Sequence, residues 1–187
     1  MNPLSGPLFI ALGVLVVAGV AKTLRPSPTA AALSALSVPQ PLIAARLLGV
    51  AEIILGLSAA IFGLPVLYGL VAAAYGAFTL FVLWALNGNQ QVVSCGCFGH
   101  EDTPPTMGHV VFNAVAVAIA ALAVTDPTTI ADFDGTLAEG VLTVAAVALG
   151  VATVIAALSA LPRVLALVRG TAAPTVHQFA LDSRGNQ

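Results

Sequence analysis

Five apolar runs parted by short polar segments constrain this chain more than any other feature; they cover residues 4–24, 42–62, 66–86, 107–124 and 137–161. At about 1.5 Å of rise per residue, roughly 20 apolar residues in a helix cross a hydrocarbon core of about 30 Å. Composition agrees: 59% of the 187 residues are hydrophobic and 7% are charged, where a soluble domain carries roughly 25% charged residues. The expectation is an all-α polytopic membrane protein whose solvent is the lipid bilayer. Its few Lys and Arg residues are scattered singly, so no basic patch exists to hold a nucleic-acid backbone.

The first run could be mistaken for a secretory signal, because Gly19 and Ala21 would suit a small-x-small cleavage site. No Lys or Arg precedes it, however, and a signal peptide should carry one there; an uncleaved span is the better reading. It ends at Lys22-Thr23-Leu24-Arg25-Pro26, where proline halts the helix and the cations can snorkel to the interface. Residues 27–38 read as a short interfacial helix, with Ser27 before Pro28 as its start.

The second run carries Arg46 near its start and Glu52 near mid-depth. Gly49, Glu52 and Gly56 are three and four residues apart, hence on one helix face, and two glycines there invite close approach by a neighbour. A carboxylate at that depth must be paired or protonated, and Lys22 and Arg46 are its candidate partners. Gly63 to Pro65 makes a tight turn into the third run, where Gly69 with Ala73 and Ala72 with Gly76 repeat the small-xxx-small spacing and predict tight helix contact. Trp84 sits where an interfacial aromatic belongs. The polar loop 87–105 follows, then the fourth run with Asn113 in its second turn, whose amide needs a hydrogen-bond partner.

Residues 125–136 form an acidic linker. Asp132-Phe133-Asp134-Gly135 resembles a fragment of a calcium loop, but Thr136 and Leu137 stand where further ligands and the turn glycine belong. Thr136 and Glu139 instead suit a capping box opening a fifth helix over 137–168, its apolar part ending near Leu161 and Pro162, Arg163 and Arg169 marking its exit. Residues 169–187 are a polar tail read as flexible.

Both cysteines lie one residue apart in the polar loop, in Ser94-Cys95-Gly96-Cys97-Phe98-Gly99-His100. Two thiols cannot build a disulfide framework, so reactivity or metal binding explains them better. Glycine between them tolerates the unusual torsions that joining them needs, and a disulfide in so small a ring is strained, hence labile and suited to exchange. Nearby His100 or Lys22 would favour the thiolate and Glu101 and Asp102 would oppose it. The rival is a soft metal site for Zn or Cu(I) from Cys95, Cys97, His100 and His109, although close zinc-ligand pairs usually have two to four residues between them. A static loop staple in a non-enzymatic scaffold is the third reading.

The stretch Cys95-Gly96-Cys97-Phe98-Gly99 between a third and a fourth span resembles the signature of the MauE family of methylamine utilisation membrane proteins, related to DoxX and DoxD. Ala18-Gly19-Val20-Ala21-Lys22 with Pro26 resembles that family's end of the first helix, Glu52 its acidic residue in the second, and Asn113 the asparagine opening the fourth. The resemblance spans about residues 8 to 124, within a four-span unit over 4–124. It implies a DoxX-like antiparallel four-helix transmembrane bundle, here with a fifth C-terminal helix. It also implies a thiol-disulfide role in maturing an exported client beside a thioredoxin-like partner. Cys95 and Cys97 would be the reacting pair, supported by Lys22, Glu52, Gly96, Phe98, Gly99, His100 and Asn113. A quinone is the candidate electron acceptor, and no cofactor is fixed. The chain departs from the family at Phe112, where the family carries arginine, so any anion or quinone contact of that arginine is not carried over.

Sidedness divides the arguments. With five spans, Lys22, Arg25, Arg163, Arg169 and Arg184 share the side of the cysteine loop, and the positive-inside rule would make that side cytoplasmic. A disulfide role needs the outer face of the cell membrane, and that placement is favoured here because Lys22 belongs to the site and a long last segment can cross with its charges.

Overall fold

In the computed structural model residues 4–87, 105–132 and 135–168 are described, with side chains as far as residue 160. They form six α-helices and one 3-10 turn, and among them there is no strand: α1 (Ser5–Leu24), α2 (Ser27–Ala35), α3 (Pro41–Phe62), α4 (Pro65–Leu86), α5 (Met107–Ala123), the 3-10 turn (Ile130–Asp132) and α6 (Leu137–Val168). Helices α1, α3, α4 and the Leu137–Ala160 part of α6 are long and apolar enough to cross a membrane. At 17 residues α5 is shorter, about 26 Å at helical rise, the lower limit for a span.

Turn chemistry sets the helix ends. Prolines stand in the first turn of α2, α3 and α4, where the missing N–H costs no intrahelical bond. Gly63 closes α3 in the left-handed region at φ 59°, a conformation glycine adopts without the Cβ penalty, and the Thr129 side chain packs against the space a Cβ would fill. Ser37 and Gln40 also have positive φ, which ends α2 at Ala35 and redirects the chain into α3. Ser27 is the first helical residue of α2, as its place before Pro28 predicts, and Pro26 takes the cap position without a side-chain cap bond.

Packing centres on α1, which touches α3, α5 and α6, while α4 pairs with α5 and α2 lies on α3. The α1–α3 contact is antiparallel and close. A Cβ on Gly19 would sit 2.5 Å from the Gly49 carbonyl oxygen, one on Gly49 2.6 Å from the Gly19 carbonyl oxygen, and one on Gly56 2.7 Å from Val16. The seam predicted on the Gly49–Glu52–Gly56 face is therefore a real backbone-to-backbone approach. The second predicted seam is not. Gly69 and Ala73 are exposed, and added Cβ atoms at Gly69 and Gly76 would meet nothing within 4 Å. Small-residue spacing names a face, and on α4 the buried face is instead that of Tyr68, Val71, Tyr75 and Val82.

The Thr136–Glu139 capping box forms: the Glu139 carboxylate accepts from the Thr136 N–H at 2.7 Å, and the Glu139 N–H donates to the Thr136 hydroxyl at 3.4 Å. Helix α6 runs over Leu137–Val168, and the part of it apolar enough to cross a membrane is Leu137–Ala160. The Asp132 carboxylate accepts from the Thr129 N–H at 2.5 Å and the Thr129 hydroxyl at 3.0 Å, and these bonds hold its pKa below the usual value.

Burial is reversed relative to a water-soluble bundle. Leu47, Ile54, Val66, Leu80, Leu142 and Val144 are all at least 60% exposed, whereas Lys22, Thr29, Glu52, His109 and Asn113 are buried. Apolar chains facing outward and polar chains facing one another is the pattern a lipid solvent demands.

Candidate functional site

Two helix ends bring the polar residues together. Lys22 occupies the last turn of α1, and because Gly19 lets α3 approach, its stem crosses the Gly49 surface and its ammonium reaches Glu52 one turn deeper. Lys22 Nζ donates to Glu52 Oε2 at 2.8 Å, with the two side chains 5% and 3% exposed. The ammonium also lies 5.4 Å from the centroid of the Phe78 ring, a cation–π distance. Arg46, the other candidate partner, is exposed. It stands three positions before Gly49, but it leaves the seam and points outward, so among the described residues Lys22 is the partner of Glu52. Among the described residues Glu52 Oε1 has no hydrogen-bond partner although it is fully buried.

A cavity of about 260 Å³ adjoins the pair. Its walls come from α1 (Val14, Ala18, Lys22), α2 (Thr29, Leu33), α3 (Leu48), α4 (Tyr75, Phe78, Phe81), α5 (His109, Phe112, Asn113) and α6 (Leu158), and they are almost wholly apolar. Tyr75 is anchored by donating its hydroxyl to the Ala11 carbonyl at 2.6 Å, and Phe78 and Phe112 meet its ring edge-on at centroid distances of 6.2 and 6.0 Å. Tyr68, two turns earlier, donates its hydroxyl to the Thr128 carbonyl and fixes the opposite end of α4 to the segment after α5. His109 is buried, its Nδ1 2.9 Å from the Thr106 hydroxyl. Asn113 is 8% exposed, and among the described residues its amide makes no hydrogen bond.

The predicted site residues thus divide. Lys22, Glu52 and Asn113 converge on one end of the bundle, joined by His109 from the metal alternative. Cys95, Gly96, Cys97, Phe98, Gly99 and His100 lie outside the described residues. Among the described residues no group of three His, Cys, Asp or Glu could hold a metal. Phe112, where the resemblance leads one to look for arginine, turns its ring onto Tyr75 and makes that wall apolar.

Sequence reasoning missed the cavity and the roles of Tyr75, Phe78 and Thr29. Two tyrosines seven residues apart in an otherwise apolar α4 were the available signal, because a hydroxyl within a membrane helix needs an acceptor. The buried side of Thr29 had none, since nothing in α2 tells which face meets α3.

No curated protein and no solved structure matches the chain. The family model described as methylamine utilisation protein MauE matches residues 4–126, a stretch that begins before α1, ends after α5 and takes in every residue of the site except Leu158. By that match, which covers well over half of its length, the chain belongs to the MauE family.

Proposed function

We propose that this protein is a thiol-disulfide redox protein of the cell membrane, in which Cys95 and Cys97 exchange electrons with an exported client by way of a thioredoxin-like partner. The reacting end of the bundle faces away from the cytoplasm. Closing the pair breaks two S–H bonds, forms one S–S bond and releases two electrons and two protons; reopening it on a partner's dithiol reverses that balance. The family description ties such proteins to methylamine utilisation, and the client belongs among the exported proteins of such a process.

One observation carries the reading. The stretch holding both cysteines leaves the bundle after Leu86 of α4 and returns before Met107 of α5, so it is tethered at the end where Lys22, Glu52, His109 and Asn113 gather. Among the described residues of that end, the buried Lys22–Glu52 ion pair is the fixed charge on which the tethered stretch is built. Lys22 and Glu52 act as positioning residues in this account.

Replacing Cys97 by Ser tests it. In cells that make the Cys97→Ser chain, Cys95 should accumulate in a mixed disulfide with a second protein, visible as a high-mass band that reductant removes. The Cys95→Ser, Cys97→Ser chain should give none. A wild-type pair that stays fully reduced in cells and retains stoichiometric zinc or copper would overturn the proposal.

A further inference from the structure

The cavity beside the ion pair opens sideways, into lipid. Two residues of its wall are exposed: Leu36, which follows α2 and is 44% exposed, and Ala77 of α4. Ala77 stands nine residues before the end of α4 at Leu86, about 14 Å along the helix, and so near the middle of a hydrocarbon core of about 30 Å. The mouth is therefore a slit that begins beside α2 and runs down to mid-depth. In a bilayer such a slit lies against acyl chains, and a polar solute would have to cross hydrocarbon to reach its lower part.

Charge and size fit the same occupant. The walls are almost wholly apolar, and two of their polar side chains are engaged within the protein: Lys22 donates to Glu52 at 2.8 Å, and His109 Nδ1 lies 2.9 Å from the Thr106 hydroxyl. With the Lys22 charge matched, an ionic headgroup drawn inside would lose its water for little return. An apolar cavity of roughly 150 Å³ takes the six carbons of benzene; at the same packing one of about 260 Å³ takes about ten carbons, a large part of one acyl chain. The headgroup then stays outside, at the end of the bundle where α1 stops. Arg25 caps α1 there and is exposed, three residues after Lys22 and four before Thr29, both of the wall. A guanidinium matches a phosphate with two parallel N–H bonds.

From these features we infer that the slit is a phospholipid site: one acyl chain lies in the cavity from Leu36 down past Ala77, and Arg25 holds the phosphate. The lipid is a structural ligand and is not consumed. Its chain closes the cavity over Lys22 and keeps water from the ion pair, whose attraction is strongest in surroundings of low dielectric constant. The inference goes beyond the thiol reading and does not rest on it, since no cysteine takes part. It also gives α6, which lies beyond the family match, a part in the site, because Leu158 forms one wall.

The test uses full-length protein exchanged into digitonin, a detergent without an acyl chain, titrated with palmitoyl-oleoyl-phosphatidylglycerol and read by native mass spectrometry. One lipid should bind saturably per chain. Ala77→Phe sets a ring across the mouth at an exposed position, where the fold has room for it, and should weaken binding at least tenfold; Arg25→Gln should weaken it at least threefold. Leu80→Phe, at a 69% exposed position of α4 outside the cavity wall, should bind as the wild type does. Inorganic phosphate should not compete, which separates a lipid site from a phosphate site. Size-exclusion chromatography checks that each variant is folded. Non-saturable binding that is equal in all four proteins, unchanged affinity in Ala77→Phe or in Arg25→Gln, or displacement by phosphate would overturn the inference. The chain with both cysteines changed to Ser should bind the lipid equally, so the result is read apart from thiol chemistry.

Discussion

Replacing Lys22 by Met should destabilise the folded protein by about 3–5 kcal/mol, the usual loss when one partner of a buried pair is removed. Glu52 lies 11 residues into α3, about 16 Å from its start, near the middle of a hydrocarbon core of about 30 Å. It cannot reach water from there. Its escape is to take up a proton, which for an ordinary carboxyl at neutral pH costs about 4 kcal/mol, in line with the range above. Glu52→Gln should be milder. Lys22 stands two residues from the end of α1 and can swing its ammonium outward to the interface. Changing both residues together removes the stranded charge, and the Lys22→Met, Glu52→Gln chain should recover much of the loss. Denaturant unfolding of detergent-purified protein reads all three. Equal losses for the two single variants, with no recovery in the double, would mean that the contact matters for packing and not for charge.

The second large effect belongs to the glycine seam. A Cβ on Gly49 meets the Gly19 carbonyl oxygen at 2.6 Å and the Lys22 Cβ at 3.0 Å. Backbone cannot yield as a flexible side chain can, so Gly49→Val must push α1 from α3. Overpacking of this kind typically costs about 1–3 kcal/mol, and here the displaced Lys22 stem adds loss of the ion pair. The expected result is little or no folded protein on size-exclusion chromatography. Gly69→Val and Gly76→Val, on the open face of α4, should fold with changes within about 0.5 kcal/mol. The contrast separates a packing effect from a general intolerance of β-branched residues in these helices.

Much of the bundle was legible because lipid leaves few choices: an apolar run of about 20 residues must be helical, and a carboxyl within one must find a partner. Glu52 between Gly49 and Gly56 pointed to a close neighbour, and Lys22 at the end of the preceding span lay within reach of it. The choice between Lys22 and Arg46 was not legible. It depends on how α3 is rotated, and Arg46 falls outside the seam by a fraction of a turn. The same limit explains Gly69 and Gly76, which repeat the spacing of Gly49 and Gly56 on a face that meets no helix. The cavity depends on six helices at once, and no single run of sequence encodes it.

The helices also show why the site gathers at one end. At the opposite end the chain turns tightly at Gly63 and runs through the 3-10 turn and capping box between Asp132 and Glu139, where the described charges are acidic and engaged with local threonines. At the cysteine-loop end α2 lies on α3, and α4 and α5 are joined by the longest connection between helices. The cavity and the buried charge pair therefore fall to the end where the stretch with both cysteines is attached, at Leu86 and Met107.

Alkylation of Cys95 and Cys97 in intact cells with a membrane-impermeant maleimide, before and after mild reduction, tests the account most directly. The pair should be protected as isolated, become labelled in whole cells once reductant is added, and return to the protected form when the reductant is washed away. Labelling that appears only after the membrane is opened, or a pair alkylated to the same extent with and without reductant, would contradict it.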